Sequence, residues 1–279
     1  MSVGLIGRSN REARAFASTD TNLTTSALKS QIDHIVVVAH TLEQGVAWCE
    51  ATLGITPEAG GEHPQFGTHN CLFKIATPNY PLAYFEIIAI KNIATKAVNT
   101  PAIAKNTSIN KDLKTKDSKA RWFDMDDAAL RAAVAKTPRL VHFVAQMDDI
   151  QAARAALNAL GMDRGSAVEA SRHTRKGRLN WKITVRDDGQ RLFNGALPSL
   201  IQWGKTSEAE PLRLHPRNTL PRSGVSLYSV AISSPSAEKL QEAYSAMGLV
   251  GVSLTLGEPN LTVTLKTPKG LVELHSHGI

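Results

Sequence analysis

The sequence predicts an α+β protein built from repeated βαβββ modules, two complete and a third degenerate, and three observations carry that expectation. A block of apolar strand, polar turn, amphipathic helix and closing glycine occurs three times, at residues 32–55, 140–162 and from 227 to Gly248. Each block is followed by further strand-like runs. The last run of each (YFEII, LIQWG, LVELH) matches the others and sets Glu86, Gln202 and Glu273 at one equivalent position. When Leu42 is aligned with Ile150, His34 falls on His142, eight residues earlier in both blocks.

In the first block the helix carries Val46, Trp48, Cys49 and Leu53 near one stripe and stops at Gly54. Strands are expected at 70–76 and 82–90, around the turn Pro78-Asn79-Tyr80-Pro81. In the second block Asp148-Asp149 signals the helix start and Gly161 its end, with strands at 166–171, 179–185 and 199–203. The third block has strands at 261–266 and 270–275, separated by Thr267-Pro268-Lys269-Gly270. Residues 91–138 intervene between the first two blocks. Their early part is Lys/Asn/Thr-rich without periodicity, so disorder is expected for 95–118, with a short helix at 126–134. The expected organisation is a leader (1–30), a first module (31–92), a Lys-rich loop and short helix (93–137), a second module (138–205) and a third packed on the same body (206–279).

The net charge of +7 invites a nucleic-acid reading, but its location argues otherwise. Residues 91–119 hold seven Lys against two Asp, and residues 1–30 hold Arg8, Arg11, Arg14 and Lys29 against Glu12 and Asp20. These two segments account for the whole excess, so the folded body is neutral and no nucleic-acid partner is expected. Aromatic residues are 5% of the chain, too few for a base-stacking surface. No run is long enough to span a membrane, so no membrane partner is expected. The two cysteines, Cys49 and Cys71, form no ligand pair and suit a reducing, cytoplasmic setting; the leader is faintly like a transit peptide, against which Glu12 and Asp20 count. The motifs of nucleotide binding and of serine or HExxH-type hydrolysis do not occur.

Taken in order, DHIVVVAHTLEQGVAWCEATLG, GGEHPQFGTHNCLF, AYFEIIA, RWFDMD, SRHTRKGRLNWKITV and LPSLIQWG resemble the glyoxalase-like domain family of the vicinal oxygen chelate superfamily. The resemblance covers about residues 33–203 and implies two modules facing each other as a curled mixed-sheet cup. It also implies metal ligands from the first and last strands of each module: His34 and Glu86, then His142 and Gln202. Gln202 stands where a carboxylate is commonest. Ser229 replaces the histidine in the third module, which therefore looks spent.

The residues themselves point the same way. Alternation along a strand embeds His34, Glu86, His142 and Gln202 among apolar neighbours, and a buried carboxylate needs a cation or a proton. A divalent transition metal (Zn, Ni, Mn or Fe) would answer that need; so would an ordinary core in which each histidine is simply satisfied. With a metal, the expected chemistry is isomerase or lyase work through an enediolate-like anion, with Glu86 as the proton shuttle. An Fe(II) ring-cleaving dioxygenase ranks lower, because the carboxylate sits in the wrong module. His69 and Asn70 beside a Gly-rich stretch, Arg172 and the wall residue Trp181 are the expected substrate contacts, Arg172 by gripping a carboxylate. The alternative is a metal-free protein that binds or sequesters a small molecule on the same fold. A scaffold that meets an acidic partner through 91–119 is a weaker idea. A homodimer is compatible with an unmated third module.

Overall fold

The structure, a computed structural model, describes residues 28–91, 120–174, 176–204 and 210–278; residues 1–27 of the expected leader and the expected disordered stretch at 95–118 lie outside these, while Ser30, expected in the leader, begins the first strand. The first module runs β1 (Ser30–Val38), α1 (Leu42–Leu53), β2 (Glu58–His63), β3 (Thr68–Lys74) and β4 (Tyr84–Ile90). After α2 (Ala128–Lys136), the second module repeats the order with β5 (Arg139–Met147), α3 (Ile150–Ala159), β6 (Ser166–Thr174), β7 (Gly177–Val185) and β8 (Ser199–Trp203). A four-residue helix, α4 (Pro216–Thr219), leads to β9 (Ser226–Ser234), α5 (Ala237–Ala246), β10 (Ser253–Leu256), β11 (Asn260–Thr267) and β12 (Gly270–His275).

Local chemistry sets the helix ends. The Thr41 hydroxyl accepts from the Gln44 N–H at the start of α1, and Gly54 closes it at φ 77°, a left-handed conformation that glycine adopts without strain. The Asp149 carboxylate accepts from the Gln151 and Ala152 N–H groups and starts α3. Two strands were not foreseen. β2 contains Gly60-Gly61 and reads as loop, and β10 is only four residues long and largely exposed.

The first two modules make one eight-stranded curled sheet in the order β2-β3-β4-β1-β5-β8-β7-β6, so the α+β cup expected from the sequence is present. β1 and β5 pair antiparallel at its centre, and each module's first strand pairs parallel with its last. The third unit forms a separate sheet in the order β10-β9-β11-β12. Its first strand pairs with β10 and β11, not with its last strand, so Glu273 does not stand beside Ser229 as Glu86 stands beside β1.

Alternation along the central strands divides the apolar residues between two cores. Ile35, Val37, Phe85, Ile87, Phe143 and Leu200 face outward and pack with Leu227, Val230, Leu240, Val263 and Leu265 of the third unit. Val36, Tyr84, Val144, Trp181, Ile201 and Trp203 face inward, with Trp122 and Phe123 completing the group. The inward face is where the polar residues collect.

Candidate functional site

A small cavity opens on the inner face of the cup. His34 of β1, His63 of β2, Asn70 of β3, Tyr84 and Glu86 of β4, and Arg172 of β6 supply its polar side. Trp181, Ile183, Ile201 and Trp203 come from the second module's strands, while Trp122 and Phe123 come from the turn before α2. One side of the cup is therefore polar and the other aromatic and aliphatic, the usual character of a small-molecule site.

Asp33 organises the polar side. It is wholly buried and accepts from His34 Nδ1 at 2.7 Å, Trp203 Nε1 at 2.8 Å and His215 Nε2 at 3.0 Å. Burial alone would raise its pKa, but the His215 and His34 imidazoles outweigh that and hold the carboxyl well below the usual range. With Nδ1 committed to Asp33, His34 turns Nε2 toward Glu86 Oε2, 3.6 Å away, and its ring stacks on Tyr84 at 4.6 Å between centroids. Burial and the nearby Asp33 and Glu86 carboxylates keep the Tyr84 phenol protonated, far above its ordinary pKa.

Glu86 is fixed from its other side. Asn70 Nδ2 donates to Glu86 Oε1 at 2.6 Å, and Asn70 Oδ1 accepts from the Gly61 N–H at 2.7 Å. A backbone N–H can only donate, so this second bond settles which way the amide faces. Both glycines permit the arrangement: a Cβ on Gly60 would lie 2.0 Å from Asn70 Oδ1, and one on Gly61 would lie 2.7 Å from Arg172 Nη1. Arg172 thus reaches from one edge strand of the curled sheet across to the other. His63 accepts from or donates to the Thr68 hydroxyl at 3.1 Å, and burial, with Arg172 nearby, lowers its pKa so that it stays neutral.

Of the expected site residues, the cavity gathers His34, Asn70, Glu86, Arg172 and Trp181. His69 is on the other face of β3 from Asn70, near Glu43 and Glu62, and does not line the cavity. His142 is fully buried, with Nδ1 2.9 Å from the Gly195 carbonyl and Nε2 accepting from the Ser199 N–H at 3.0 Å. Neither ring nitrogen is left for a metal. Burial and the Arg164 and Arg191 charges push its pKa well down, as suits a neutral core imidazole.

Gln202 fails for a different reason. Val36 pairs with Glu86 and Val144 with Ser199, each valine two residues after its module's histidine. The residue equivalent to Glu86 is therefore Ser199, three positions before Gln202. Because that offset is odd, Gln202 faces the opposite way, and its Oε1 accepts from the Ile150 N–H at the start of α3. The expected four-ligand metal set is thus corrected: the donor groups present do not fit a metal, and among the described residues no three His, Cys, Asp or Glu side chains converge to hold one.

Sequence reasoning missed Asp33, His63, Tyr84, Trp122, Phe123 and His215. Asp33 was hidden by the assumption of strict alternation, which places it opposite His34. RWFDMD, already singled out as a motif, held the signal for Trp122 and Phe123.

Residues 32–248 match the family described as the glyoxalase-like domain. The chain belongs to that family. A solved structure of a hypothetical protein from Staphylococcus aureus is similar at 15% identity and a TM-score of 0.50, over 88% of this chain and 85% of that one, and shares the fold. Two weaker likenesses are a Streptomyces coelicolor methylmalonyl-CoA epimerase (16% identity, TM-score 0.34, 63% and 95% covered) and a 4-hydroxymandelate synthase variant from the same organism (12%, 0.41, 89% and 63%). No curated protein matches the chain. No helix among the described residues of this glyoxalase-like protein is long and apolar enough to cross a membrane.

Proposed function

We propose that this glyoxalase-like protein binds a small organic molecule in its cup and moves a proton on it, with Glu86 as the base and the Asp33–His34 pair as its relay. The observation that carries the reading is the chain of carboxylate, imidazole and carboxylate, whose His34 and Glu86 members line the polar side of the cavity opposite its aromatic wall. Glu86 takes a proton from a carbon next to a carbonyl, and the electron pair of the broken C–H bond moves onto the carbonyl oxygen. With Nδ1–H donated to Asp33, His34 Nε2 can receive that proton from Glu86, and the buried Asp33 carboxylate stabilises the resulting imidazolium. Return of the proton to the neighbouring carbon, or to the other face of the same one, completes an isomerisation or epimerisation. The metal-stabilised form of this chemistry lacks its donor set here, so the proposed reaction relies on the protein's own acid–base groups.

The test follows α-protons of a panel of 2-oxo acids and hydroxyketones by NMR in ²H₂O. Exchange is expected with the wild type and about 100-fold slower exchange or worse with Glu86→Gln. Undiminished exchange in that variant would overturn the assignment. Tight binding of a panel member without any exchange would make the protein a sequestering one.

A further inference from the structure

We infer that the cavity holds an anion seat, formed by the Arg172 guanidinium and the Trp122 indole N–H, and that its ligand is a flat aromatic carboxylate. This rests on the reading of the cup as a small-molecule site and names the class of molecule it takes.

Three observations converge. Trp122 is 6% exposed, and its Nε1 is buried without a hydrogen-bond partner. Of the buried polar atoms left in that state, its is the one on a side chain lining this cavity. A buried donor with nothing to donate to costs about 1–3 kcal/mol, so a ligand that brings an acceptor to it gains by relieving that cost. Arg172 lines the same cavity, half-buried, and among the described residues no hydrogen bond or ion pair engages its guanidinium. Asp33 is not available to it, being held by two imidazoles and an indole. Glu86 is held by Asn70 and faces His34. A carboxylate on the ligand supplies both missing partners, with the guanidinium offering a two-pronged grip and the indole one further donor.

The rest of the ligand is set by the walls. Trp181 and Trp203 stand 5.9 Å apart between ring centroids, and Tyr84 and Phe123 add further ring faces. Such surfaces favour a flat ring over a puckered one, because stacked and edge-on ring contacts add to the burial of apolar area. Glu86 repels a second negative charge, so the anion belongs at the Arg172 end and the carbon that loses its proton at the Glu86 end.

Binding of phenylacetate, phenylacetamide and cyclohexylacetate, measured by calorimetry with the full chain, tests this. Phenylacetate should bind wild type best. Its affinity should fall about tenfold or more in Arg172→Gln and several-fold in Trp122→Phe, which keeps the ring and removes the N–H. Phenylacetamide should bind weakly and equally to wild type and Arg172→Gln. Equal affinity for acid and amide, no binding of phenylacetate, or an unchanged Arg172→Gln variant would overturn the seat; equal affinity for cyclohexylacetate would overturn the aromatic part. Should Trp122→Phe fail to fold, the Arg172→Gln and amide comparisons still decide. Glu86→Gln should retain phenylacetate binding, so loss of proton exchange and loss of the anion seat are read separately.

Discussion

His34 Nδ1 lies 2.7 Å from Oδ1 of Asp33, its neighbour in the chain, although a regular strand would turn the two side chains to opposite faces. The pairing of β1 with β5 shifts between Ile32 and His34, and this bulge brings consecutive side chains together. Asp33 then becomes the shared acceptor of β1, β8 and the His215 turn.

Asp33→Asn keeps the shape and removes the charge that His34 and His215 face. Breaking such a buried pair should lower stability by about 3 kcal/mol at neutral pH. The pH dependence has a defined sign. The folded-state pKa of Asp33 is depressed, so its contribution is fully present above the ordinary carboxylate pKa of about 4 and is lost as the pH falls below that. Denaturant unfolding of wild type and variant should therefore show a gap that is constant from about pH 7 to 5 and narrows below about pH 4. A gap that widens in acid would contradict the assignment.

His142 gives the opposite test of role. Its lowered pKa means that the folded chain refuses a proton which the unfolded chain accepts below about pH 6.5. Stability should decline as the pH drops through that value, by about 1.4 kcal/mol per pH unit for this residue, and His63, whose pKa is also lowered, should act in the same direction. His142→Gln should be less stable than wild type at pH 7 but lose less on going to pH 5. Its cavity-ligand affinity should be unchanged, because the residue is a core imidazole. A collapse of ligand binding in a folded His142→Gln protein would restore it to the site.

Gly60 and Gly61 separate packing from function. The atoms a Cβ would meet at Gly60 include the Asn70 backbone carbonyl at 2.8 Å as well as its side chain, and backbone cannot retreat cheaply. Gly60→Ala should cost about 1–3 kcal/mol and displace Asn70 from Glu86. At Gly61 the clash is with the end of the Arg172 side chain, which can swing away. Gly61→Ala should therefore melt close to the wild-type temperature yet bind carboxylates more weakly. Equal loss of stability in both variants would show that Arg172 is held more rigidly than its contacts imply.

Where local chemistry decided the outcome, the sequence was readable. Thr41, Asp149 and Gly54 mark helix ends by hydrogen bonds within a few residues, and the strands at 199–203 and 270–275 have the bounds their apolar runs suggest. The site was less legible because it depends on register. A match of YFEII to LIQWG is good as a string but three residues from the pairing the parallel strands adopt, and an odd error inverts the face. The bulge at Asp33 is likewise a property of two strands together. His215 comes from a turn outside all three repeated blocks, so no internal comparison could have pointed to it.

The metal expectation ends in the last prediction. A divalent ion needs several donors with free lone pairs, and the second module offers none at the required place: His142 spends both nitrogens, Ser199 replaces a carboxylate, and Gln202 faces α3. His34 Nε2 and Glu86 remain as a facing pair, with Asn70 already donating to one carboxylate oxygen. Two donors from one side of the cup give neither the ligand count nor the geometry of a transition-metal centre. Untagged protein dialysed against a chelator should therefore keep its melting temperature and its affinity for phenylacetate, and added Zn²⁺, Ni²⁺ or Mn²⁺ should raise neither. One tightly held ion per chain, lost together with ligand binding in Glu86→Gln, would mean that the cup rearranges around a metal and that the acid–base reading of Glu86 and His34 is mistaken.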